Sequence, residues 1–398
     1  MRTGQSQIEH FEQISQARLN AIFLSVAIIA VTLLSKFMLH MFLPDRHFFD
    51  GNLITRMMLA DTMAARQSSF TITAYISDTI NIFGFTELLH WSIFYSIVFT
   101  PIVIRYVLQF RVKGFFDYVF IVASVGLLNI FVFVLSKDVF QFTLFLLIGT
   151  IIKAPISIST WKRAALSIGL LYFWGWAFRL YFFIVAIYSL MTYLTLLLIR
   201  KKNKSGMILL PVILTIGVFV SLVGLMIFMP EEYEYIIMVR YIVNYWRVGA
   251  YDAATMISDI IYNPGGNVFL YMINYIFNVL RLMLPFELFL VLRNPQQILF
   301  LFYQIALTVL YLKTLKKFFK KQASEIQLLS LSIFTGFLLV SGFYQPDFGS
   351  WTRHNISLWP VMISLIFDYK GVAHERFKKV AVGFIGNSKR VYTNLPRT

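Results

Sequence analysis

Six basic residues carry the chemistry available to this sequence: Lys137, Arg179, Arg240, Arg247, Arg281 and Arg353. They interrupt or border apolar stretches, and all but Lys137 are arginine. Arginine stays charged beside lipid, and its planar fork matches two oxygens of a phosphate. A charge at membrane depth is costly and marks a site by default. The plain alternative for each is a snorkelling anchor at the interface. Together they point to a shared anionic ligand, and a pyrophosphate at the outer membrane surface is the candidate.

Acids accompany the cations. An acceptor hydroxyl needs a base or an orienting carboxylate. Asp50, in Phe48-Phe49-Asp50-Gly51, is the first candidate, with Asp252 and Asp45 as alternatives. An ordinary turn or cap residue before Gly51 is the plain reading of Asp50. Asp138 after Lys137, His354 after Arg353, and Glu287 six residues beyond Arg281 are candidates for support. No phosphate loop, dinucleotide turn, zinc-protease helix or Asp-x-Asp pair occurs, so neither a cofactor nor a metal is expected. Asp347-Phe348-Gly349 matches a kinase tripeptide by chance, in what reads as a short outer hairpin.

The elements that must position these residues are helices in lipid. The chain of 398 residues is 58% hydrophobic and 14% charged, far from the composition of a water-soluble domain. Most of its apolar blocks run about 18–25 residues, enough to cross roughly 30 Å of hydrocarbon, while the two short ones, 164–178 and 355–368, read as half-spans or as tilted into neighbours. Lipid satisfies no backbone polar group, so each block is expected to be helical. The blocks lie near 19–42, 88–110, 115–136, 139–157, 164–178, 181–199, 206–229, 292–313, 325–345 and 355–368. The first is too long for a signal-peptide core and reads as an uncleaved span. The expectation is an all-α polytopic membrane protein with about ten transmembrane helices.

Residues 266–291 are apolar but contain Arg281. A full crossing there would place Lys313, Lys316, Lys317, Lys320 and Lys321 outside, against the positive-inside rule. A re-entrant or interfacial helix on the outer face is expected instead, with Arg281 reaching water or an anion. Arg240 and Arg247 are seven residues apart, on one face of an amphipathic helix. Glu231, Glu232 and Glu234 read as its N-terminus.

The formal charge of +16 sits mostly in segments that this topology makes cytoplasmic, which places both termini inside. Nucleic acid is therefore not needed to explain it. Residues 1–368 read as a single transmembrane domain, with long outer loops at about 43–87 and 230–291. Residues 369–398 read as a basic cytoplasmic tail against anionic lipid.

Ser136-Lys137-Asp138, the Arg179-Leu180-Tyr181-Phe182 turn, the loop with Arg240 and Arg247, and Arg353-His354 before Pro360 resemble the Wzy-type polysaccharide polymerases of bacteria. These serve O-antigen, capsule and exopolysaccharide synthesis and are similar to C-superfamily membrane glycosyltransferases. The resemblance covers most of the chain. It implies an enzyme of the bacterial plasma membrane with its active site on the outer face. A growing glycan would leave undecaprenyl pyrophosphate and join the terminal sugar of a second lipid-linked repeat unit. Arg240, Arg247, Arg281 and Arg353 would hold the pyrophosphate, supported by Lys137 and Arg179, and an acid after the first span would serve the acceptor. Partners implied are the lipid-linked oligosaccharide, membrane lipid, a chain-length regulator and a flippase. A glycan ligase using the same donor is the near alternative. A transporter or flippase of lipid-linked oligosaccharide would need internal repeats and midplane charges. The best-placed midplane charges, Lys36, Arg105 and Lys153, are few.

Overall fold

Helices form wherever the apolar blocks lie, and capping residues set many of their ends. The computed structural model describes residues 2–43, 48–59, 69–155, 157–201, 206–247, 257–263, 266–290, 295–345 and 347–371. Side chains of 2–14, 206–207, 243–247, 290 and 295–296 are outside that description. In chain order the helices are α1 (Arg2–Phe42), α2 (Phe49–Leu59), α3 (Ser69–Thr79), α4 (Leu88–Val107), α5 (Phe115–Phe131) and α6 (Lys137–Ile152). Then come α7 (Thr160–Ala177), α8 (Tyr181–Lys201), α9 (Gly206–Phe228), α10 (Pro230–Arg247) and α11 (Val268–Met283). The last are α12 (Phe286–Leu290), α13 (Pro295–Phe319), α14 (Glu325–Tyr344), α15 (Phe348–Ser357) and α16 (Trp359–Ile366). Two short strands, β1 (Phe110–Arg111) and β2 (Asp368–Tyr369), pair antiparallel.

The protein is all-α, and 6 of these helices are long and apolar enough to cross a membrane: α1, α4, α8, α9, α13 and α14. The blocks expected at 115–136, 139–157, 164–178 and 355–368 also fold as helices, but shorter or less apolar ones. The last is broken at Leu358, between α15 and α16. Pro360 explains the break: it has no N–H to continue α15 and is well placed in the first turn of a new helix. The stretch 266–291 divides likewise at Leu284-Pro285 into α11 and α12. At 16 residues α11 is about 24 Å long, short of a crossing. It lies across the last turns of α14, with the Tyr275 hydroxyl donating to Leu339 O at 2.9 Å and the Tyr275 and Phe343 rings 4.5 Å apart.

α14 is the axis of the bundle, enclosed along its whole span. α8 packs on it at Gly336, where an added Cβ would fall 2.6 Å from Ser189 N. Such small-residue contact is how helices approach closely without a hydrophobic drive from water. One end of α14 lies beside Arg200, which pairs with Glu325, and near Lys317, 3.4 Å from Asp368. The other end, at Gln345, reaches the candidate site. Twenty residues of helix, about 30 Å, separate the two ends.

Two expectations change. The segment 43–87, read as a long loop, contains α2 and α3. The Asp347-Phe348-Gly349 stretch is no hairpin: Asp347 caps α15, accepting from Ser350 N at 2.7 Å. Within the bundle, Lys36 is buried and donates to the carbonyls of Asn129 and Phe133, 2.6 Å each, closing the C-terminal end of α5.

Candidate functional site

The site is assembled at helix ends. Ser136 caps α6, accepting from Asp138 N at 3.3 Å, which holds Asp138 in the first turn where the helix dipole favours an anion. Asp138 is fully buried. Two guanidinium groups compensate it. Arg179, in the turn between α7 and α8, donates from Nη2 to Asp138 Oδ1 at 3.1 Å. Arg353, on α15, donates from Nε to Asp138 Oδ2 and from Nη2 to Asp50 Oδ2. Lys137 Nζ completes the group, 3.8 Å from Asp50 Oδ2 and 3.7 Å from the centre of the Phe70 ring.

Neutral groups lock the arrangement. Gln141 is one turn beyond Asp138, so the two share a face of α6. Its Oε1 accepts from Arg179 Nη1 at 2.6 Å and from the Tyr181 hydroxyl at 3.1 Å. Its Nε2 donates to Ser357 Oγ at 2.6 Å, and Ser357 donates on to His354 O at 2.6 Å.

Charge states follow from these contacts. Burial pushes the Asp138 carboxyl up, but Arg353 and Arg179 outweigh it and hold the group well below the usual carboxylate range. It stays ionised and is a poor proton acceptor. Burial pushes the His354 imidazole down to about 3, against the pull of Asp138. The ring is therefore neutral, and Gln345 Nε2 stands 2.6 Å from its Nδ1. With the amide nitrogen donating, the ring proton is on Nε2. Burial lowers Lys137 to about 8 despite Asp50 beside it. Among the described residues the cluster thus holds three cations against two carboxylates, a surplus of one positive charge.

A cleft of about 30 Å³ opens beside Asp50 and Arg353, walled by Leu88, Ile130, Phe131 and Leu135. That is roughly the volume of one water in the liquid. Gly51 sets how closely α2 sits, since a Cβ there would meet Leu88 Cδ2 at 2.9 Å and Leu135 O at 3.0 Å. Asp50 is accordingly in the first turn of a packed helix, not in a glycine turn.

A second cluster lies around Arg240 on α10. Arg240 is buried and uses its whole fork: Nε donates to Asp259 Oδ1 at 3.0 Å, Nη1 to Gln345 O at 2.9 Å, and Nη2 to Ile257 O at 3.0 Å. Asn278 Nδ2 donates to the same Asp259 oxygen at 3.3 Å. Arg281 donates to Ser258 O at 2.6 Å and pairs with Glu287. The expectation that Arg281 reaches water is corrected: it is buried, and its charge is balanced within the chain.

Of the six expected cations, Lys137, Arg179 and Arg353 come together, while Arg240 and Arg281 form the second group. Gln345 joins the two, its carbonyl bound by Arg240 and its amide by His354. The Arg247 side chain, Asp45 and Asp252 lie outside the described residues. The sequence reading missed Gln141, Gln345, Ser357 and the pairing role of Asp259. Only Gln141 carried a local signal, as an amide on an apolar helix one turn from Asp138. No family model, no curated protein and no solved structure matches this chain.

Proposed function

We propose that the chain is a polysaccharide polymerase of the bacterial plasma membrane, with the cluster of Asp50, Lys137, Asp138, Arg179 and Arg353 as its reacting centre. One observation carries the reading. Segments as far apart as Asp50 and Arg353 converge at the end of the bundle remote from its lysine-rich end, leaving one unbalanced cation among the described residues. A site built to receive an anion has that surplus.

In the proposed transfer, the acceptor hydroxyl oxygen bonds the anomeric carbon of the growing glycan. The bond from that carbon to the undecaprenyl pyrophosphate oxygen breaks, and its electron pair leaves with the pyrophosphate. The hydroxyl proton passes to the Asp50 carboxylate, which borders the cleft. Lys137 and Arg353 balance the growing charge of the leaving group. Asp138 is a positioning residue that fixes Arg179 and Arg353. Arg240 and Arg281 take no part in holding the pyrophosphate, because they meet Asp259 and Glu287 one for one and leave no surplus charge. The polymerase topology retains cytoplasmic termini, about ten crossings and an outward-facing site, with α11 as a non-spanning helix.

Deletion followed by glycan electrophoresis tests the reading. Loss of a polymerase leaves single repeats on the final acceptor, so the ladder collapses to one added unit. Long polymer stranded on the lipid carrier would assign a ligase instead, and absence of both products a flippase.

A further inference from the structure

Beside the second cluster is a cavity of about 650 Å³ that the transfer step does not use. Its volume falls within the roughly 300–1,000 Å³ of pockets that take small organic ligands. Its lining includes Arg240, Asp259, Tyr241, Tyr262, Asn263 and Tyr271. Two features determine what such a pocket accepts. The first is charge. Arg240 spends every nitrogen of its fork on Asp259 and two backbone carbonyls, so an anion would have to displace one of them. The second is the pairing of aromatic rings with hydrogen-bonding groups. Tyrosine presents an apolar face and a polar tip, suited to a ligand with C–H faces and hydroxyl edges. Tyr262 is 74% exposed and stands ready to stack. Among the described residues the bonds to Asp259 from Arg240 and Asn278 fall on Oδ1, so Oδ2 is the oxygen placed to accept from ligand hydroxyls.

We infer that this cavity binds an uncharged pyranose unit of the oligosaccharide substrate, separately from the pyrophosphate. The inference rests on the polymerase reading and deepens it. Ile237, Ile260 and Ile261 line the cavity too, and the tyrosines, Asp259 and Asn263 set among them suit a ring with apolar faces and hydroxyl edges better than a lipid tail. Arg240 bonds Gln345, and Gln345 bonds His354 beside Arg353, so a hydrogen-bonded chain links the sugar pocket to the charged cluster.

The test uses the purified full-length protein in lipid nanodiscs. The probes are an array of uncharged and uronic-acid-containing oligosaccharides, with inorganic pyrophosphate as competitor. The wild type should retain at least one uncharged oligosaccharide, and pyrophosphate should not displace it. Tyr262→Ala should weaken that binding at least tenfold, while Tyr262→Phe keeps most of it. Tyr262 is exposed, so neither change threatens the fold. Tyr75→Ala, an exposed tyrosine on α3, should leave binding unchanged. Retention of no uncharged sugar, indifference to Tyr262→Ala, or displacement by pyrophosphate would each overturn the inference. The polymerase reading is judged apart, by the glycan ladder. A strain whose ladder collapses on deletion while the protein fails to hold sugar loses only the pocket. A protein that holds sugar while deletion leaves the ladder intact loses only the polymerase.

Discussion

Both clusters are built from arginine and carboxylate, yet they balance differently. Around Asp138, three cations meet two acids. Around Asp259, Arg240 and Arg281 meet Asp259 and Glu287 one for one. The first therefore retains a charge to offer a ligand, while the second has spent its charge on the fold. A count of arginines at a membrane boundary does not distinguish these cases. What separates them is whether the cations outnumber the carboxylates they meet, since the forks of Arg179 and Arg353 are bound to protein oxygens as the fork of Arg240 is.

The largest expected effect breaks the first cluster at its anion. Asp138→Ala leaves Arg179 and Arg353 facing each other in a buried site without their shared partner. Removing one side of a buried ion pair costs about 3–5 kcal/mol. Thermal unfolding in detergent should show a loss of that order, and polymerisation should be undetectable. Glu287→Ala is the matching change in the second cluster. Its side chain is 38% exposed, so water replaces much of what Arg281 loses, and the protein should accumulate normally. Equal damage from both would erase the distinction.

The next comparison substitutes lysine for arginine. Lysine keeps the charge but not the fork, and Arg353 bridges Asp50 and Asp138 with two separate nitrogens. Arg353→Lys should cut turnover by about ten- to a hundredfold, from loss of one charge-assisted bond of roughly 1.5–3 kcal/mol. Arg240→Lys should raise KM while kcat stays within roughly threefold, as expected for a residue that shapes binding only. A fall in kcat at Arg240 matching that at Arg353 would return Arg240 to the pyrophosphate.

How much of this was legible in the sequence depends on the range of the contact. The helices were, because apolar block length is a local property. The break at Leu358 follows from Pro360, and the division at Leu284 from Pro285. The helix α2 was legible too and was missed: Phe49, Leu53, Ile54, Met57 and Met58 recur at helical spacing in a segment read as loop. The pairing of Asp138 with Arg353 was not legible, for they are 215 positions apart and no local pattern specifies which cation fills which carboxylate. Asp138 therefore read as a helper to Lys137 although it holds the centre together.

A smaller, pH-dependent effect separates the clusters again. Burial holds Lys137 at about 8, below the ordinary lysine value, so its charge is present below that pH and lost above it. If that charge balances the leaving group, turnover falls about tenfold per pH unit above about 8. Lys137→Arg keeps its charge through pH 10 and should remove this limb, at the cost of some activity at pH 7. A limb that persists unchanged in Lys137→Arg would assign the titration to another group.

The smallest expected effect concerns Gln345, where the clusters touch. Its carbonyl receives Arg240 and its side-chain amide binds His354, so only the second link is open to mutation. Gln345→Leu keeps the backbone contact and similar volume while removing a neutral hydrogen bond, a loss of about 1 kcal/mol. By itself that is modest, a few degrees in Tm and less than about tenfold in turnover. The sharper reading comes from a double-mutant cycle between Arg240→Lys and Arg353→Lys. Sites without shared partners add to within about 0.3–0.5 kcal/mol, and sites in one network deviate by more. A deviation in the wild-type background that shrinks under Gln345→Leu places the coupling in the Gln345 side chain. Strict additivity in both backgrounds would make the two clusters independent, with the hydrogen bond to His354 serving only to set its tautomer.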